Sequence, residues 1–150
     1  MAEINLLKSL PSPKRNISNR NIKKSDHHIK ISRQYGKDYF DGDRSFGYGG
    51  YKYDGRWVPV AKDIKDYYGL IKGSKILDVG CAKGFLVKDL VDLGFEAYGI
   101  DISEYAIDNS PKDIRNRLKT GNAKKLPYED NSFDLVISLN TIHNLNRNEC

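Results

Sequence analysis

Apolar residues along this chain fall into short runs separated by glycine, and the runs alternate between helical and strand spacing. From Val58 to Tyr68, the positions Val60, Ala61, Ile64 and Tyr68 share one face, which predicts an amphipathic helix ended by Gly69 and Gly73. Ile76-Leu77-Asp78-Val79 is then nearly unbroken in its apolar character, as a strand covered on both faces requires. It runs straight into Gly80 and Gly84, after which Phe85 to Leu93 returns to helical spacing and stops at Gly94. Ala97-Tyr98-Gly99-Ile100 predicts a second strand. Ser103 is an N-cap for a helix over Glu104 to Asn109 that Pro111 ends. A third, weaker strand falls around Arg117 to Thr120, and a fourth over Phe133 to Leu139. Strands alternating with helices predict an α/β fold, with a parallel sheet, flanking helices and right-handed crossovers.

Upstream of this alternation the pattern is different. Ile29, Ile31 and Tyr35 line a short helix expected to begin near Ser25. Between Tyr35 and Trp57 stand Tyr39, Phe40, Phe46, Tyr48, Tyr51 and Tyr53, interleaved with six glycines. Single-stranded nucleic-acid binders also interleave rings with cations, but here Lys37, Arg44, Lys52 and Arg56 are cancelled by Asp38, Asp41, Asp43 and Asp54. The segment is expected to form a structured loop over a ligand mouth, its competing role being to cap an exposed sheet face. The chain thus divides into a tail at 1–25, helices and an aromatic, glycine-rich lid at 26–69, and a ligand-binding α/β unit at 70–150.

With 150 residues and 39% hydrophobic content, the chain can bury one modest core. No apolar run approaches the roughly 20 residues of a membrane span, and the N-terminus has no signal-peptide core, so no membrane partner and a cytoplasmic setting are expected. The net charge of +5 is concentrated in residues 1–34, where eight Lys and Arg face only Glu3 and Asp26. Such a tail, rich in Ser, Asn and Lys, is expected to be disordered. Contact with nucleic acid is an open role for it, less favoured than that of a solvated arm. Cys81 and Cys150 form neither a C-x-x-C pair nor a zinc spacing, so no metal site is expected.

The chemistry concentrates where the first strand meets the glycines. Asp78 is set beside a turn, Gly80-Cys81-Ala82-Lys83-Gly84, that lets a ligand approach the backbone closely. Asp101 follows 23 residues later at the end of the second strand, where ribose hydroxyls are held in nucleoside-binding sheets. The turn lacks the G-x-G-x-x-G spacing of a pyrophosphate site, and Asp78 would repel phosphate while pairing with an ammonium group. An adenosyl ligand with an ammonium and no phosphate, such as S-adenosylmethionine, matches both acids.

On these residues the chain resembles the class I S-adenosylmethionine-dependent methyltransferases, methyltransferase type 11-like. Asp78 to Gly84 is similar to their first motif, Asp101 to their ribose acid, Gly121-Asn122-Ala123 to the turn beside the adenine, and Asp130 to Ser138 to their fourth strand. Ala82 stands where that motif has a glycine and Asn122 where an acid is more usual, although an Asn side-chain oxygen still accepts a hydrogen bond. The resemblance implies a Rossmann-like fold, S-adenosylmethionine as cofactor, and a cofactor site built from Asp78, Gly80, Cys81, Ala82, Gly84, Asp101, Ile102, Asn122, Ala123 and Asn140. It also implies seven strands, so that a chain with four is expected to lack the C-terminal ones, to be unstable or inactive alone, and to begin its next helix at Leu145 to Cys150.

The function this implies is methyl transfer to a small-molecule or sugar-like acceptor. The alternatives are RNA or protein methylation guided by the basic tail, and an adenosyl-binding module or inactive fragment without catalysis. His143 is the candidate general base, since imidazole takes a proton near neutral pH; its competing role is to hydrogen-bond its own loop. Methyl transfer rests mainly on holding donor and acceptor together, so a base is not always required.

Overall fold

A computed structural model describes residues 4–11 and 25–146, and for His143 the backbone alone. The predicted basic tail therefore lies mostly outside the described residues, as does Cys150. Four parallel strands form one sheet in the order β3-β2-β1-β4, with β1 at Lys75–Val79, β2 at Glu96–Asp101, β3 at Leu118–Thr120 and β4 at Leu135–Ile137. Asp78 pairs with Gly99 on one side and Ile137 on the other. Gly99 in turn pairs with Leu118. The C-terminal ends of β1 and β2, which carry the two acids, therefore lie side by side in the middle of the sheet.

Helices pack beside the sheet where they carry an apolar face. Helix α3, at Val58–Tyr68, buries Val60, Ala61 and Ile64, while α4, at Phe85–Asp92, buries Phe85, Leu86, Val87 and Leu90. Of these, Ala61, Leu86, Val87 and Leu90 join Ile76, Ala97, Ile114 and Leu118 in the main core. Complete burial of an aliphatic side chain such as Ile76 or Leu90 stabilises the fold by about 1.5–3 kcal/mol. Helix α5, at Glu104–Asp108, starts where Ser103 Oγ accepts the Ala106 N–H, as its predicted cap should. Ser25 caps α1, at Asp26–Ser32, through the His28 N–H.

Three features depart from the sequence expectations. The aromatic segment is not all loop: it opens with a short helix, α2, at Lys37–Asp41. The fourth strand is shorter than the run Phe133 to Leu139, because among the described residues only β1 pairs with it. No helix opens at Leu145, whose backbone is extended after a 3-10 turn at Ile142–Asn144; residues 147–150 lie outside the described part.

Among the described residues, no helix is long and apolar enough to cross a membrane, and no cluster of His, Cys, Asp and Glu is arranged to hold a metal ion.

Candidate functional site

The turn after β1 is held in the left-handed region at three positions: Gly80 (φ 85°), Ala82 (φ 52°) and Gly84 (φ 73°). Glycine adopts this conformation without strain, whereas for alanine it costs roughly 1–2 kcal/mol. Hydrogen bonds offset that cost at Ala82. Its N–H donates to Asp101 Oδ2 at 2.7 Å, while the Gly80 and Cys81 N–H groups both donate to Ile100 O and the Gly84 N–H to Cys81 O. With these donors spent inside the protein, the turn offers no ring of N–H groups to a phosphate.

Asp101 is the hub of this arrangement. One carboxylate oxygen takes the Ala82 N–H and the other the Ser103 N–H at 2.8 Å, so the acid joins the turn to the start of α5. Burial raises its pKa, against the opposing pull of the N–H groups of Ser103, Ala82 and Ile102. A carboxylate has about four acceptor positions, which leaves capacity for a ligand's hydroxyls.

Asp78 differs. It is 4% exposed, its carboxylate has no hydrogen-bond partner among the described residues, and burial together with the nearby Asp101 charge pushes its pKa up to about 7. An acid in that condition favours the approach of a cation.

Above these groups opens a cavity of about 280 Å³. Gly80, Ala82, Asp101, Ile102, Asn122, Ala123 and Asn140, all predicted site residues, line it together. Ile102 keeps 57% of its surface exposed, an apolar plate beside the Asp101 carboxylate. Asn122 Oδ1 accepts the Lys124 N–H at 3.0 Å, which shapes the loop and leaves its second lone pair.

Three predicted residues lie behind the wall. Asp78 is buried beneath it, and Cys81 directs its thiol into the core against Gly99, where burial raises the thiol pKa well above its ordinary value. Gly84 does not open toward a ligand. A Cβ there would meet Leu118 Cδ1 at 2.6 Å and Ile114 Cδ1 at 2.9 Å, so its smallness serves helix packing. A Cβ at Gly80, by contrast, would collide with the Thr141 hydroxyl at 1.7 Å. The backbone of His143 belongs to the 3-10 turn whose neighbours Thr141 and Asn144 line the cavity, and its side chain lies outside the described part.

The opposite wall consists of rings that composition could place only near a ligand mouth. Tyr35, Tyr39, Phe40 and Tyr48 line the cavity. Phe40 stacks on Tyr48 with centroids 5.6 Å apart, and Tyr39 meets Phe40 edge-on at 5.1 Å. Burial pushes the Tyr48 phenol up to about 12 and also raises that of Tyr39, so both hydroxyls remain neutral at pH 7. Lys83 and Thr141 were not singled out from the sequence. Neither residue type is diagnostic at such a spacing, and their roles depend on partners far along the chain.

Comparison with known proteins bears on the same region. A family model described as a methyltransferase domain matches residues 77–150. The chain is 33% identical over 84 residues to a sterol 24-C-methyltransferase of Gibberella zeae, a match covering 50% of this chain and 22% of that protein. It is 32% identical over 90 residues to a demethylmenaquinone methyltransferase of Anoxybacillus flavithermus, covering 54% and 38%. The solved structure of the PH0226 protein from Pyrococcus horikoshii OT3 superposes with a TM-score of 0.56 at 30% identity, over 75% of this chain and 52% of that one. The chain thus spans well under half the length of these curated relatives.

Proposed function

The chain belongs to the class I S-adenosylmethionine-dependent methyltransferases, and from that premise we propose that its cavity holds S-adenosylmethionine for methyl transfer to a small organic acceptor. The observation that carries this reading is the convergence of residues from four separate segments, around Gly80, Asp101, Asn122 and Asn140, on one cavity. The donor set fits the cofactor. Asp101 retains acceptor capacity for ribose hydroxyls, Ile102 and Ala123 offer apolar surface to the adenine, and Asn122 has an amide at the same edge. Asp78, buried and unpaired among the described residues, meets the need of an ammonium group, while a turn with its N–H groups spent does not serve a dinucleotide.

When bound, the sulfonium supplies an electrophilic methyl group. The chain's own residues then have three tasks. Asp101 on the cavity wall fixes the ribose of the donor and Asp78, buried beneath that wall, supplies the charge that draws its ammonium; Tyr39, Phe40 and Tyr48 keep water from the cavity; and the segment from Asn140 to Asn144 borders the space where an acceptor would enter. His143, in that segment, is the residue we assign as general base for an acceptor hydroxyl or amine. The relatives named for sterol and demethylmenaquinone methylation support an organic small-molecule acceptor. Calorimetric titration with S-adenosylhomocysteine, followed by an acceptor screen with methyl-labelled S-adenosylmethionine, tests the reading. Absence of heat and of saturable label transfer would reject it.

A further inference from the structure

The cofactor reading leaves one residue of the turn without a task. Lys83 stands between Ala82, on the cavity wall, and Gly84, in the core, and its side chain is only 7% exposed. An ammonium has three protons, and three acceptors take them: Asp41 Oδ1 at 2.8 Å, Asp41 Oδ2 at 2.6 Å and Tyr51 O at 2.9 Å. Asp41 also accepts the Tyr105 hydroxyl at 2.8 Å and the Tyr51 N–H at 3.1 Å. The glycine turn, the lid and α5 thus meet in a single network whose charges, Lys83 buried and Asp41 partly so, are fully partnered, the condition under which such a pair holds together.

What this network holds is the ring wall. Tyr39 and Phe40 immediately precede Asp41 in α2, a helix of five residues with no side-chain cap, too short to persist by itself. Residues 48–51 depend on it in turn: the Tyr48 N–H donates to Tyr39 O, and the Gly50 and Tyr51 N–H groups donate to Phe40 O. Moving Asp41 therefore moves Tyr39, Phe40 and Tyr48 together. Consecutive residues of the turn hold the two sides of the cavity, Ala82 through Asp101 and Lys83 through Asp41.

We propose that Lys83 is a positioning residue for the cofactor cavity, acting through Asp41 to hold the Tyr39–Phe40–Tyr48 wall against the glycine turn. The proposal rests on the cavity being the S-adenosylmethionine site. Lysine suits the task because its single ammonium bonds both Asp41 oxygens and a lid carbonyl, which a neutral side chain of the same length does not.

Three variants of the full chain separate positioning from mere support: Lys83→Met, Asp41→Asn, and the two combined. Lys83→Met leaves the Asp41 carboxylate without its counter-charge and should lower the melting temperature. In the double variant no charge is stranded, and the melting temperature should recover. Affinity for S-adenosylhomocysteine should not recover with it, remaining about tenfold or more below wild type, because the wall is no longer preorganised. Trypsin should cut the double variant faster than wild type within residues 37–56, with or without ligand. Wild-type affinity and lid protection in the double variant would overturn the proposal alone. Failure of the wild-type chain to bind S-adenosylhomocysteine would overturn the cofactor reading and the proposal with it.

Discussion

Asp101 at the end of β2 accepts the backbone N–H of Ala82 at 2.7 Å, so the residue expected to hold the ribose also holds the turn that shapes the cavity. Binding and local stability are coupled at this contact. Asp101→Ala should weaken S-adenosylhomocysteine by about 1–3 kcal/mol through lost hydroxyl bonds. It should also destabilise the fold, since the Ala82 and Ser103 N–H groups lose their acceptor. Calorimetry and thermal melts of the same preparation check both. A variant that melts normally would mean that water replaces the carboxylate without cost.

Asp78 should show the opposite relation between stability and binding. Its folded pKa of about 7 lies above the ordinary carboxylate value, so the folded state retains the proton that the unfolded state releases, and stability falls as pH rises from about 4 to about 7. Asp78→Asn should therefore raise the melting temperature at pH 8 while weakening the ligand, whose ammonium loses its counter-charge. In the wild type, affinity for S-adenosylhomocysteine should rise between pH 6 and pH 8, with protons released on binding. Titration in buffers of different ionisation enthalpy measures that release, and a pH-independent affinity would remove Asp78 from the site.

Gly84 should behave as a core residue. Gly84→Ala combines a left-handed backbone with a Cβ driven into Leu118 and Ile114, and should cost about 2–4 kcal/mol of stability. Denaturant unfolding gives the value. An unchanged midpoint would show that α4 shifts to make room.

The Cys81 thiol, 5% exposed and with its pKa raised by burial, should be inert in the folded chain. In a Cys150→Ser background, maleimide labelling at neutral pH should be slow and become rapid in denaturant. Rapid labelling without denaturant would mean that the turn opens.

What the sequence settled by itself were features with local causes. The bounds of α3 follow from its apolar stripe and Gly69, the start of α1 from Ser25 and that of α5 from Ser103, because caps and stripes act within a turn or two of the chain. The parallel sheet was legible for the same reason, its strands being apolar runs punctuated by glycine turns. The tertiary structure decided what depends on distant partners. Helix α2 has no local signal, since Gly36 provides no side-chain cap, and it is held by a lysine 42 positions away. The two turn glycines read alike in sequence, yet Gly80 abuts Thr141 beside the cavity and Gly84 faces the core. Asp78 and Asp101 likewise read as a pair of acids, and only their surroundings separate them. Backbone N–H groups hold one, and the other lies buried with no hydrogen-bond partner among the described residues, because the packing those residues make around it supplies none.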